Sequence, residues 1–215
     1  MSTPRQKDRN TSERPRQYSS PLREQQAART KAAVLEAARV QFSENGWSAT
    51  GIRDIASMAG VSIETVYANF GSKTQLLQAA LDIAVAGDDG PLPLAERPEF
   101  GVLASGRLEE RAQAAARLLS SVYSHTKGLQ RALREAATSD PDLEEVLRTN
   151  EELQRADIER GAQLVYGGPP TQTLRDALWA LSSFELYELL VERSGWSEPR
   201  YENWLAEMFV HFATD

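Results

Sequence analysis

Residues 50–73, TGIRDIASMAGVSIETVYANFGSK, constrain the fold more than any other stretch of the chain. Ile52, Ile55, Ala56 and Ala59 recur at i, i+3, i+4 and i+7, so they share one face of a short helix. Thr50 or Gly51 can cap its start, and Asp54 in its first turn suits the positive end of the helix dipole. Gly60 follows the last apolar residue, where a positive φ commonly ends a helix. Val61 can bury itself in the turn, and Ser62 is a good N-cap for a second helix over about 63–70, with Glu64 early in it. Val66 and Phe70, one turn apart, face inward; Thr65, Ala68 and Asn69 face outward, with Tyr67 on the flank. A third helix opens directly at Lys73. Two short helices joined by a tight turn and followed by a third are the layout of a helix-turn-helix.

The outward residue types suit duplex DNA. Thr and Asn can donate and accept at base edges, and an Ala or Thr methyl can touch a thymine methyl. Tyr67 can give its hydroxyl to a phosphate, and Lys73, at a helix start, can hold another. The candidate DNA contacts are therefore Thr50, Arg53, Ser62, Glu64, Thr65, Tyr67, Asn69 and Lys73. A helical hairpin that touches no DNA has the same outline, and the A-G-V-S turn alone does not separate the two.

The full stretch does. With the helix before it and the start of the one after, it resembles the DNA-binding domain of the TetR (tetracycline-repressor) family over about residues 28–86. The matching residues are Ala38, Phe42, Gly46, Thr50, Ile55, Ala56, Ala59, Gly60, Val61, Ser62, Thr65, Tyr67, Phe70, Lys73 and Leu76. Ile63 and Glu64 stand where the family often carries a basic and then a small residue, and Asn69 stands where it often carries His or Tyr. These departures bear on the base sequence read, not on the fold. The resemblance implies an all-α chain: an N-terminal three-helix reader and a C-terminal helical bundle for dimerisation and ligand binding.

Charge distribution agrees. Residues 1–73 carry 11 Lys+Arg against 7 Asp+Glu, whereas residues 74–215 carry 13 against 24. The basic charge lies with the motif, and the acidic remainder would repel DNA and bias which end docks. The chain has no cysteine and two distant histidines, His125 and His211, so neither a disulfide framework nor a metal site is expected. No apolar run approaches the roughly 20 residues of a membrane span, and the polar N-terminus has no apolar signal core. A cytoplasmic protein that does not engage membranes is the expectation.

Residues 1–22 are rich in Ser, Arg, Pro and Gln and read as a disordered basic tail. Arg5, Arg9, Arg14 and Arg16 could alternatively make it an arm that tracks phosphates or enters the minor groove. The reader spans 23–86, its first helix running over about 23–45 to Gly46 with Leu35, Ala38 and Phe42 inward, and its fourth opening near Lys73 to join reader and body. Residues 87–98, GDDGPLPLAERP, read as an ordered loop or linker. The regulatory and dimerisation domain spans 99–215.

In this body, Leu108, Ala112, Ala115, Leu119 and Val122 mark one helix, and Leu129, Ala132, Leu133 and Ala136 a second, short one. Asp140-Pro141 starts a helix that GGPP stops after Tyr166. The remaining helices are expected over about 171–193 and 197–212. The former is apolar nearly all round, leaving only Glu185, Glu188 and Glu192 as a polar stripe, so it must be covered on more than one side. It is either the central helix of the domain or a face for a second subunit. TetR-like chains pair through their last two long helices, so the resemblance favours a homodimer, with Leu181, Leu189, Trp204, Met208 and Phe209 as interface candidates.

TetR-like bodies also hold a small-molecule pocket. Tyr123, His125, Tyr166, Trp179, Phe184 and Tyr187 are the candidates, and their aromatic content points to a hydrophobic or planar effector; aromatic residues at helical spacing can equally be plain core. No phosphate loop, metal cluster or nucleophile elbow is present, and Glu109-Glu110 and Glu144-Glu145 read as solvated faces. No enzyme and no cofactor are expected. The expectation is a ligand-responsive repressor that binds a palindromic operator as a homodimer; the alternative is a DNA-bound structural or adaptor protein without an effector.

Overall fold

The structure, a computed structural model, describes residues 21–86 and 98–213. Every regular element among them is helical: α1 (Pro21–Ala49), α2 (Ile52–Ala59), α3 (Ile63–Phe70), α4 (Lys73–Ala86), α5 (Pro98–Gly101), α6 (Leu108–Ala137), α7 (Pro141–Tyr166), α8 (Gln172–Leu181), α9 (Phe184–Tyr187) and α10 (Glu198–His211). A 3-10 turn (Val102–Ala104) follows α5, and a π-helical turn (Glu188–Arg193) follows α9. The expected tail lies outside the described residues up to residue 20, as does the expected linker over 87–97.

Local sequence explains most boundaries. Gly46, at φ 73°, interrupts α1 where the first helix is expected to end. Gly60 is left-handed at φ 67°, so that Val61 N–H reaches the carbonyl of Ala56 at 3.0 Å. Ser62 Oγ accepts from Thr65 N–H at 3.2 Å and starts α3. Asp140 caps α7 ahead of Pro141 as expected, accepting from Asp142 N–H. Gly51 is the N-cap of α2, its N–H donating to Asp54.

Two expectations about the body fail. The helices expected around 108–122 and 129–136 are one continuous helix, α6. Gly128 lies inside it, where glycine costs helix stability, because α1 packs directly against it. A Cβ there would stand 2.6 Å from the Cα of Ser43. Conversely, the single helix expected over 171–193 is broken at Ser182–Ser183. Ser183 caps a new helix, accepting from Leu186 N–H at 3.3 Å. The buried carbonyl of Ser182 accepts from the Tyr123 hydroxyl and from Gln154 Nε2, long-range partners that no local pattern announces.

The Glu185, Glu188 and Glu192 stripe does not face water alone. Arg134 pairs with Glu185 at 2.6 Å, Arg131 with Glu188 at 2.7 Å and with Glu192 at 2.9 Å, and Lys127 with Glu192 at 3.0 Å. The stripe thus docks the segment after Ser183 along α6, with the Arg131 guanidinium bridging Glu188 and Glu192 through Nε and Nη2 and Arg134 holding Glu185.

The long α6 unites the molecule. Leu129, Ala132, Leu133 and Ala136 from its C-terminal half join Val34, Ala38, Phe42, Ile55, Val66, Phe70 and Leu77 in the core of the reader. Its N-terminal half, with Ala112, Ala116 and Tyr123, builds a second core with Phe184, Tyr187, Tyr201 and Leu205. Reader and body therefore share a rigid rod.

Candidate nucleic-acid interface and internal cavity

The two short helices of the motif are held by one-sided burial. Ile52, Ile55 and Ala56 of α2 and Val66 and Phe70 of α3 are buried. Opposite them, Arg53, Ser57, Glu64, Ala68 and Asn69 are exposed, and Tyr67 is 48 % exposed. Ser62 Oγ and Thr65 Oγ1 lie 3.1 Å apart, and Asn69 Nδ2 donates to the Thr65 carbonyl at 2.7 Å. This network fixes side chains along the outer edge of α3 before any partner arrives. The backbone N–H of Glu64, and then the Ser62 side chain, hold the Glu64 carboxyl below its ordinary range, so it stays an anion beside this face.

Six of the eight expected DNA contacts, Arg53, Ser62, Glu64, Thr65, Tyr67 and Asn69, thus lie along α2, the turn and α3. Thr50 and Lys73 are engaged by the α1–α2 turn instead of lying along this edge. Thr50 is 2 % exposed, and its hydroxyl donates to the carbonyls of Gln41 and Gly46, tying the end of α1 to the start of α2. Lys73 Nζ donates to the Trp47 carbonyl at 2.6 Å and sits 4.0 Å from the Trp47 ring centroid. Burial lowers its pKa. Thr50 is buried and Lys73 half-buried, and each tethers the α1–α2 turn through a backbone carbonyl; their polarity alone did not show these internal partners in the sequence.

The body holds an open-sided cavity of about 460 Å³ between α4, α6 and α7, lined also by Phe100 and Leu103. Leu119, Val122, Ile158 and Val165 make its wall largely apolar, and Leu81, Asp82 and Val85 bring α4 to its edge. Of the expected pocket residues, Tyr123 and Tyr166 line it. Tyr166 donates to the Phe209 carbonyl at 2.8 Å, and burial pushes its pKa up to about 12. Phe184 and Tyr187 are core beneath the cavity, 1 % and 0 % exposed. Trp179 lines a separate, smaller cavity between α7 and α8, with the Arg155 guanidinium 4.6 Å above its ring. His125 is exposed on α6, its Nδ1 2.7 Å from the Ser121 carbonyl. The aromatic signal therefore marked core and cavity alike, whereas the aliphatic and acidic wall carried no signature of its own.

Of the expected interface residues, Leu189 is 50 % exposed, and Leu181, Trp204 and Met208 are half-buried. Phe209 is 4 % exposed and lines the cavity, so it is an internal residue of this chain. Among the described residues no group of acidic and His side chains could hold a metal, and no helix is long and apolar enough to cross a membrane.

Comparison with known proteins bears on both halves. Residues 34–80 match the family model described as bacterial regulatory proteins, tetR family. The chain is 40 % identical over 58 residues to the HTH-type transcriptional regulator TtgR of Pseudomonas putida, covering 27 % of this chain and 28 % of that protein. It is 49 % identical over 51 residues to an HTH-type transcriptional repressor of Mycobacterium tuberculosis, covering 24 % and 27 %. The match thus spans under a third of these relatives' length. The whole fold resembles a TetR-family regulator from Syntrophomonas wolfei (TM-score 0.65, 20 % identity, 87 % of this chain and 96 % of that one). It also resembles one from Mesorhizobium loti (TM-score 0.63, 22 % identity, 86 % and 97 %). At such identities the likeness is one of fold. Residues 34–80 thus carry the helix-turn-helix domain of the family model for tetR-family bacterial regulatory proteins, set here on an all-α body.

Proposed function

We propose that this chain is a one-component transcriptional regulator, a repressor that binds a palindromic operator in the cytoplasm as a homodimer and is released by a small-molecule effector. The observation that carries the reading is the exposed edge of α3, with Tyr67, Ala68 and Asn69 outward on a domain that matches the family model. In a dimer, two such helices enter successive major grooves about 34–36 Å apart, or a multiple of that. Half-exposed Leu189, Trp204 and Met208 leave apolar area on the last elements for a second copy.

The cavity favours an effector over a purely structural role, because an adaptor has no need of about 460 Å³ of mostly apolar empty space. Its contact with α4 supplies the linkage. A ligand that pushes on Leu81 or Val85 acts on the helix joined to α3 by only Gly71 and Ser72, and so biases the spacing of two readers. Selection of genomic fragments by the purified chain at about 150 mM salt, followed by sequencing, tests the reading. An enriched two-fold-symmetric site supports it; folded dimers that enrich no site overturn it.

A further inference from the structure

The outward face of α3 carries no cation. Val66 and Phe70 are buried, so Glu64, Thr65 and Ala68 stand at the crest of the opposite side, with Tyr67 and Asn69 on its flanks. Ala68 lies one turn after Glu64, and its single methyl lets the helix come close to base edges. Lys73, the next cation along the chain, is turned to the Trp47 carbonyl.

The neutral polar groups of this face already bond along the helix. Ser62 Oγ and Thr65 Oγ1 lie 3.1 Å apart, and Asn69 Nδ2 donates to the Thr65 carbonyl at 2.7 Å. Glu64 is exposed, and no Lys or Arg pairs with it among the described residues. Its own backbone N–H and then the Ser62 side chain hold its carboxyl below the ordinary range. It therefore meets a partner as an anion that accepts hydrogen bonds and never donates them.

That chemistry discriminates among bases. In the major groove guanine shows the acceptors N7 and O6, and thymine shows the acceptor O4 beside its methyl. Adenine sets its N6 donor beside the N7 acceptor, whereas cytosine shows only the N4 donor. A carboxylate brought into the groove loses water and lies near phosphates, so it is unfavourable at any base that returns no hydrogen bond. Cytosine returns one without setting an acceptor of its own against the carboxylate.

We infer that Glu64 is a specificity-determining residue whose carboxylate accepts from N4 of a cytosine in each operator half-site. This deepens the proposed function and rests on it, since α3 must lie in the major groove. The competing role for Glu64 is internal: an acid in the first turn of α3 suits the positive end of the helix dipole, and in that role alone it leaves base preference untouched.

The test has the full chain, Glu64→Gln and Glu64→Ala each select from a pool of random duplexes at about 150 mM salt, with melting curves to confirm folding. Each base pair of the enriched site is then replaced in turn in synthetic duplexes, and affinities are measured. The parent is expected to require one cytosine per half-site, its replacement weakening binding about tenfold or more. Glu64→Gln moves that one preference to adenine, because a glutamine amide bonds N6 and N7 together. Glu64→Ala accepts all four bases there, and every other position keeps its preference in both variants. A uniform change in affinity, up or down, with the parent's preferences intact shows that the carboxylate acts only through charge or helix stability; it overturns the inference and leaves the reader standing. Any base other than cytosine preferred by the parent at the position the variants alter overturns it as well. A folded, dimeric parent that enriches no site overturns the proposed function, and the inference with it.

Discussion

Glu135 of α6 accepts hydrogen bonds from the backbone N–H groups of Trp47 at 3.0 Å and Ser48 at 3.2 Å, 88 and 87 residues away in the chain. It thereby caps, from the body, the turn that Gly46 opens between α1 and α2. Lys73 braces the same turn from the other side, through the carbonyl of Trp47. The reader is thus latched to the rod that passes the cavity, and Arg134 on the cavity wall is the neighbour of Glu135 in sequence.

Replacing Glu135 with Ala removes two charge-assisted bonds at an exposed position. The expected loss is about 1 kcal/mol, read as a lower urea midpoint with unchanged slope. The Ser48 hydroxyl and then the Trp47 N–H hold the Glu135 carboxyl below its ordinary range. A group whose pKa is depressed by folding stabilises the fold above its unfolded pKa, and that stability vanishes as pH falls through the folded value. The gap between parent and variant is therefore full near neutral pH and closes below about pH 4; a gap that widens in acid contradicts the latch.

Tyr67→Ala and Lys73→Ala separate partner contact from folding. Tyr67 is accessible, so its loss weakens binding to every DNA sequence and leaves the melting temperature unchanged. Lys73 is half-buried against Trp47, so its loss costs about 1–2 kcal/mol of stability through the bond and ring contact with that residue. Asn69→Ala shifts base preference instead, by about 1–3 kcal/mol at one position of the half-site. Binding to a panel of sequences, with melting curves beside it, checks all three.

Leu189→Asp and Phe209→Asp differ by burial. Leu189 is 50 % exposed, so an acid there yields a folded monomer in light scattering. Phe209 is 4 % exposed, and a buried carboxylate there costs more than about 3 kcal/mol and unfolds the body. A folded dimer for the Leu189 variant removes that residue from the interface.

Gly128 and Gly161 predict opposite outcomes for one added methyl. At Gly128 the methyl would meet the Ser43 backbone at 2.6 Å, forcing α1 from α6 at about 1–3 kcal/mol. At Gly161 its nearest neighbour is Phe100 Cζ at 3.6 Å, an ordinary contact, so Gly161→Ala keeps or raises the melting temperature. Thermal unfolding of the two alanine variants decides it.

Local chemistry alone determined the reader. Ser62, Gly60 and the spacing of Ile52, Ile55, Val66 and Phe70 act within a turn or two of helix, where capping and periodicity are short-range effects that the order of residues already contains. The same holds for Asp140-Pro141 and the end of α7. Only the tertiary structure decided the rest. The two helices expected around 108–122 and 129–136 are one, with Gly128 between them a packing contact with α1, while Ser182 fell inside an expected helix and is a break satisfied by Tyr123 and Gln154. Thr50 and Lys73 looked like surface contacts and hold an internal turn. Phe209 looked like interface and lines the cavity. In each case the deciding partner is distant in the chain, and its burial or hydrogen bond outweighs the local preference that the sequence displays.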